Sequence, residues 1–255
     1  MSYVVGAATD IGLVKDTNQD SLVIKSGKCN AKEVVLAVLC DGMGGLNKGE
    51  LASAETVRRF GKWSEEQLPK IVEQGNMFRQ IREDWNGMIT DINQELYMYG
   101  QDNHTNLGTT ITGIIIVDNE YLIINVGDSR TYILDEDIYQ LTEDQSLIAR
   151  EVKLGRLTEE QAKTDPRKNV LLQCVGATED IEVEFYDGKL ASGQGVLLCS
   201  DGFRHVVSDD EIYSYLKPDD MNSELIITQT LRQLIALNIA RKESDNITAA
   251  FIKVV

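Results

Sequence analysis

Val34-Val35-Leu36-Ala37-Val38-Leu39-Cys40-Asp41-Gly42 runs on into Met43-Gly44-Gly45. Apolar residues at consecutive positions, not alternate ones, describe a strand covered on both faces. The run then ends abruptly in a carboxylate and a glycine-rich turn. Val196-Leu197-Leu198-Cys199-Ser200-Asp201-Gly202 repeats the design. Two further aspartates share the setting: Asp128 follows Tyr121–Val126 and Gly127, and Asp245 precedes Asn246-Ile247-Thr248-Ala249-Ala250-Phe251-Ile252. One Asp-Gly is ordinary turn chemistry. Four aspartates at the ends of four strand-like runs predict carboxylates gathered at one edge of a core. Carboxylates so gathered repel unless cations lie between them, which points to a hard-metal site.

The rest of the chain alternates short strands with a few helices. Strands are predicted at Tyr3–Thr9, Ser21–Lys25 and Glu33–Cys40, then at Leu107–Val117, Tyr121–Val126, Thr131–Leu134 and Ile138–Leu141. They resume at Ile181–Tyr186, Gly195–Cys199 and Asn246–Val254. Asn47 and Glu50 have capping-box spacing, and Leu51, Ala54, Val57 and Phe60 form one face of the helix that follows. Phe78, Ile81, Trp85, Met88, Ile92, Leu96 and Tyr99 mark a second helix. Ile227, Leu231, Leu234, Ile235 and Asn238 mark a third. Hairpin-linked strands, apolar on both faces, call for two antiparallel sheets packed together with helices outside. The fold class is α+β, in one domain over residues 1–255. Residues 144–180, charged and only briefly helical, are expected as a surface flap.

Composition narrows the function. The net charge of −16, without a basic block, argues against nucleic acid and anionic membrane as partners. It also disfavours a phosphorylated ligand unless bound cations reverse the sign locally. No apolar run approaches the ~18–20 residues of a membrane span, and the start lacks a secretion signal, so a cytoplasmic location is expected. The four cysteines form no CxxC pair and are expected reduced and buried.

Six segments, in order, resemble the motifs of the metal-dependent PPM (PP2C-type) protein phosphatases. They are Gly12–Ser21 (GLVKDTNQDS), Asp41–Gly45 (DGMGG), Asn125–Arg130 (NVGDSR), Leu141–Ser146 (LTEDQS), Ser200–Gly202 (SDG) and Asp245–Thr248 (DNIT). With Met43 in the second motif, the sequence is similar to the bacterial branch. The resemblance implies an αββα sandwich with its site at one edge of the sheets, and hydrolysis of phosphoserine and phosphothreonine in proteins, opposing a Ser/Thr kinase. It also implies two Mn²⁺ or Mg²⁺ ions with a possible third. Asp41 would bridge two ions, Asp201 and Asp245 would complete the first, and the Gly42 carbonyl would bind the second. Asp20 would act through water, and Asp128 with Asp201 would serve the third, weaker site. Oxygen-only ligands suit these ions and disfavour zinc.

Three positions depart from the family pattern. Lys15 stands where Arg usually grips the substrate phosphate, keeping the charge but not the planar fork. Gln19 replaces a Glu. Met43 stands where eukaryotic members carry a His proposed as general acid. Lys15 and Gln19 leave open an alternative reading as a catalytically weak binding or sensing module. Of the two histidines, His205 and His104 are both expected in solvated loops, and Arg130 is expected to pair with a nearby carboxylate. An aspartyl-phosphate mechanism fails at Met43, where a second Asp is wanted. A nucleotide-binding glycine loop fails because GMGGLN lacks the third glycine of GxGxxG.

Overall fold

The computed structural model describes residues 1–44 and 48–255. Among these the strands are β1 (Tyr3–Asp10), β2 (Asp20–Cys29), β3 (Lys32–Gly44), β4 (Leu107–Thr109), β5 (Ile111–Val117), β6 (Glu120–Val126), β7 (Arg130–Leu134), β8 (Ile138–Gln140), β9 (Glu184–Lys189), β10 (Gly195–Cys199) and β11 (Ile247–Val254). The α-helices are α1 (Lys48–Glu66), α2 (Leu68–Ile71), α3 (Met77–Asp102), α4 (Leu147–Lys153), α5 (Glu159–Thr164), α6 (Asp209–Tyr215) and α7 (Glu224–Ala240). One sheet has the order β1-β11-β10-β7-β8 and the other β2-β3-β5-β6-β9, with β4 added on β3. Every described pairing is antiparallel. The two sheets stack between helical layers, giving the αββα sandwich expected from the sequence.

The continuous apolar runs now have a cause. In β3, Val34, Leu36, Val38 and Cys40 belong to the cluster under α1, α2 and α3, with Phe60 and Trp85. Val35 and Ala37 point the other way, into the layer between the sheets, with Ile114, Val196, Leu198 and Ile252. In β10, Leu197 and Cys199 face the third cluster, with Ile227 and Leu231 of α7. Alternate residues therefore enter different cores, and both must be apolar. Trp85 anchors the outer cluster, its ring edge-on to Phe60 at 5.2 Å and to Trp63 at 5.5 Å.

Several elements differ from expectation. Asp41 does not end its strand. β3 continues to Gly44 because Gly42, Met43 and Gly44 pair with Thr109, Gly108 and Leu107 of β4. The expected Leu107–Val117 strand is broken at Thr110, whose amide donates to the Asp41 carbonyl at 2.9 Å. In α1 the buried face is Gly49, Ala52, Ser53, Thr56 and Phe60, while Leu51 is 57% exposed and Ala54 is also outside. Close approach of α1 to β3 explains the rotation. A side chain at Gly49 would collide with the backbone of Gly42 and Met43, so only small residues fit beneath this end of the helix. Asn47, expected as the cap, lies outside the described residues. β9 begins at Glu184, not Ile181, and α2 and α6 had no clear signal. The buried face of α7 is Ile227, Leu231, Leu234, Ile235 and Asn238, as the periodicity predicted.

Candidate active site

The two sheets bring their aspartates to one edge through register. Asp20 opens β2 and lies opposite Asp41 of β3. On the other sheet, Cys199 at the end of β10 pairs with Ala249 of β11 and with Arg130 of β7. That register sets Asp201, Asp245 and Asp128 just beyond neighbouring strand ends. Asp201 begins a 3₁₀ turn (Asp201–Phe203) whose last carbonyl accepts a 3.0 Å hydrogen bond from Asn238 of α7.

Gly42 lies too close to its neighbours for a side chain. A Cβ there would meet the Gly49 carbonyl and come within 2.6 Å of the Gln19 carbonyl. The Asp41 backbone is fixed on both sides. Its amide donates to Thr110 Oγ1 at 3.1 Å and its carbonyl accepts from Thr109 Oγ1 at 3.0 Å.

Their surroundings push the carboxylates in opposite directions. Burial, followed by the charges of Asp20 and Asp201, pushes Asp41 well above the ordinary carboxylate range. Burial also pushes Asp20 up to about 7, although Thr248 and Ser200 hydrogen bonds oppose it. Asp128 likewise rises to about 7, from burial and then Asp201. Asp201 is the exception. Burial would raise it, but the hydrogen bond and charge of His205, with Arg204, hold it below the usual range. Burial is the largest cause of the three upward shifts and the charges of neighbouring aspartates add to it, costs that a bound cation would relieve.

Among the described residues, no three His, Cys, Asp or Glu side chains already stand in ligating geometry round one point. The outer members instead contact cationic side chains. Lys15 Nζ is 2.7 Å from Asp245 Oδ1, and His205 Nε2 is 3.2 Å from Asp201 Oδ2. Two carboxylate oxygens nevertheless stand buried without a hydrogen-bond partner: Asp20 Oδ1 and Asp201 Oδ1. The opposite oxygen of Asp20 accepts from Ser200 Oγ at 3.0 Å. Orphaned buried carboxylate oxygens are costly unless something cationic meets them. The oxygen-only donor set fits Mg²⁺ or Mn²⁺.

Gln19 is 8% exposed, and its side-chain amide donates to the Gly44 carbonyl at 3.4 Å. Arg130 takes the structural role, in a fork to Asp144 at 2.7 and 2.8 Å. His104 lies in a turn with φ +49°, the left-handed region. The solvated-loop expectation fails for His205. Its side chain is only 22% exposed and touches Asp201 and Glu243. Reasoning from sequence also missed Arg204, which donates to the Asp128 carbonyl at 2.8 Å and lies 3.4 Å from Asp144. It missed Asn246, which ties the Gln19 amide to the carbonyls of Ile11 and Thr17. The helical spacing of His205 from Asp201 was a usable signal; Glu243 and Arg204 offered none. Cys40, Cys174 and Cys199 are free and buried, as expected, while Cys29 is only partly buried.

The protein phosphatase 2C profile matches residues 14–242. The chain belongs to this family. Protein phosphatase PhpP of Streptococcus pneumoniae is 31% identical over 255 residues, covering 97% of this chain and 96% of that protein. The solved serine/threonine phosphatase of S. agalactiae superposes with a TM-score of 0.87 at 32% identity, over 99% of this chain and 100% of that one. The solved catalytic domain of the phosphatase PstP, in complex with two manganese ions, gives 0.79 at 26% identity, over the whole of both chains. As a bacterial-type PP2C phosphatase, the chain is an enzyme of the protein serine/threonine phosphatase class. Among its described residues no helix is long and apolar enough to cross a membrane.

Proposed function

We propose that this PP2C phosphatase removes phosphate from phosphoserine and phosphothreonine in proteins, in opposition to a Ser/Thr kinase, at a centre of two divalent ions with a weaker third. The observation that carries this reading is the pair of orphaned oxygens, Asp20 Oδ1 and Asp201 Oδ1, inside a cluster of five aspartates. Asp41, Asp201, Asp245 and the Gly42 carbonyl would hold the two principal ions. Asp20 would act through water, and Asp128 with Asp201 would take the third. Bound Mn²⁺ or Mg²⁺ would lower the pKa of water and neutralise the phosphoryl oxygens.

The chain's own residues have separate tasks. Lys15, on the Asp245 flank, presents its ammonium beside the carboxylates, where it can meet a phosphate oxygen. Thr109 and Thr110 fix Asp41 through its backbone, so its carboxylate needs little reorganisation. Gly42 lets the main chain approach where a side chain would intrude. Residues 1–255 serve as one catalytic domain, with 144–180 as a flap beside the site. Support for the flap comes from Cys174, whose Sγ lies 3.0 Å from Met43 Sδ, two residues beyond Asp41.

The test is hydrolysis of a phosphothreonine peptide by the purified chain, with Mn²⁺ and with chelator. Turnover that chelator abolishes is expected. Activity indifferent to chelator would overturn the metal mechanism. Metal binding without any turnover would favour the binding or sensing module.

A further inference from the structure

Asp201 and Asp245 lie on different loops, yet one buried carboxylate stands between them. Glu243 is 4% exposed. Its Oε2 lies 3.5 Å from His205 Nδ1, and the other ring nitrogen of His205 is 3.2 Å from Asp201 Oδ2. Its Oε1 accepts the amides of Ser244 at 2.7 Å and Asp245 at 2.9 Å. Both oxygens of Glu243 are therefore committed, one toward each ligand-bearing loop.

The same place is anchored from behind. The Glu243 amide donates to the Asn238 carbonyl at 3.0 Å, and Asn238 Nδ2 donates to the Phe203 carbonyl at 3.0 Å. The C-terminal end of α7 thus holds the base of both loops, while Glu243 and His205 hold their tips. A consequence follows at Asp201. Its Oδ2 is engaged by His205, which leaves Oδ1, buried and without a hydrogen-bond partner, as the oxygen directed at the cluster.

We infer that Glu243 and His205 are positioning residues that lock Asp201 and Asp245 into one preorganised cation-binding unit. The inference rests on the metal-dependent reading above. Outer contacts of this kind orient ligands and commonly change metal affinity by about 10–100-fold when removed. Glu243 does not itself reach the reacting atoms; it acts through His205 on one ligand and through a backbone amide on the other. Because the two residues act in series toward Asp201, their effects should not multiply.

The test measures Mn²⁺ binding to the full chain by the electron paramagnetic resonance signal of free Mn²⁺, independently of turnover. His205→Ala and Glu243→Gln should each weaken the tighter binding by on the order of tenfold. The double variant should lose little more than the worse single one. His205→Gln keeps a donor toward Asp201 and should recover part of the affinity, and it also serves if His205→Ala fails to fold. Unchanged affinity in folded variants that merely melt earlier would overturn the inference and leave these residues as turn supports. Fully multiplicative losses would also overturn it. Wild-type chain that binds no Mn²⁺ would bring down the metal reading itself, which separates the two failures.

Discussion

Cys40-Asp41-Gly42 and Cys199-Ser200-Asp201-Gly202 are near-copies in sequence, yet their carboxylates live in opposite electrostatic states. At the first, the strand runs on through Gly44, and the Asp41 carboxylate faces other aspartates, which push it well above the usual range on top of its burial. At the second, the strand breaks into a 3₁₀ turn, and His205 and Arg204 outweigh burial to keep Asp201 ionised. Local sequence delivers a carboxylate to the end of an apolar run. Its charge is decided by neighbours that arrive from elsewhere in the chain.

The largest expected effect treats the two alike. Asp41→Asn and Asp201→Asn should each cut phosphopeptide turnover by on the order of 10³-fold or more, equivalent to about 4 kcal/mol of barrier. Near-normal rates in either would refute its role as a ligand. Thermal melting of the metal-free protein should then separate them. Asp41→Asn removes a carboxyl that must take up a proton to be buried and should raise the midpoint at neutral pH, whereas Asp201→Asn removes an ionised partner of His205 and should lower it. Equal shifts would mean that the contrast between the two ends is not real.

A second pair concerns backbone approach. A side chain at Gly42 would strike the Gly49 carbonyl, and one at Gly202 would strike the Asn246 carbonyl. Gly42→Ala and Gly202→Ala should therefore each cost about 1–3 kcal/mol in denaturant unfolding. A cost at only one position would show that the two sites differ in how far they can yield.

The pH dependence of the metal-free protein follows from the same contrast. Asp20 and Asp128, pushed up to about 7, and Asp41, raised well above the ordinary carboxylate range, keep protons in the folded state that the unfolded chain releases above about pH 4. Folded stability should fall as pH rises through that window. His205 is pushed up to about 9 because its bonds to Asp201 and Glu243 outweigh burial, so its contribution is full below about pH 6.5 and lost on passing 9. Both effects have the same sign. Metal-free protein should melt several degrees higher at pH 5.5 than at pH 8, at about 2–4 °C per kcal/mol for a chain of this size. A flat or reversed profile by scanning calorimetry would count against the clustered-aspartate account.

The smallest effects lie at the rim. Lys15→Ala should raise the KM for phosphopeptide by about tenfold, as expected for a lost charge-assisted contact of about 1.5 kcal/mol. The flap offers a last probe. A cavity of about 330 Å³ is lined by Tyr97 and Gly100 of α3, by Met43, and by Cys174, Gly176 and Ala177, next to the end of β3 that carries Asp41. Exchanging residues 144–180 should alter peptide preference more than hydrolysis of a small aryl phosphate. Equal loss on both would show that the segment supports the site rather than the substrate.

Much of this was legible in advance, where composition and periodicity act locally. The buried face of α7 and the two-sided cores of β3 and β10 followed from residue order alone, because each position answers to the layer it enters. Position in a motif marked the five aspartates. The α1 face was misread because Leu51 and Ala54 fit a hydrophobic period, while the true contact demanded small residues against the Gly42 backbone. No local pattern reports how closely two backbones approach. His205 was misread for a related reason: its partner Glu243 lies on another loop.

The sequence by itself determined that apolar runs end in carboxylates, that the donors are oxygens, and that the chain carries the ordered motifs of a phosphatase. Only the tertiary structure decided which carboxylates repel, which one is held ionised, and which buried residues bind the two ligand loops together. The division is physical. Hydrophobic period and turn chemistry are properties of neighbours along the chain, whereas a pKa or a hydrogen-bond relay belongs to groups that meet only when β10 and β11 pair and α7 closes over their ends.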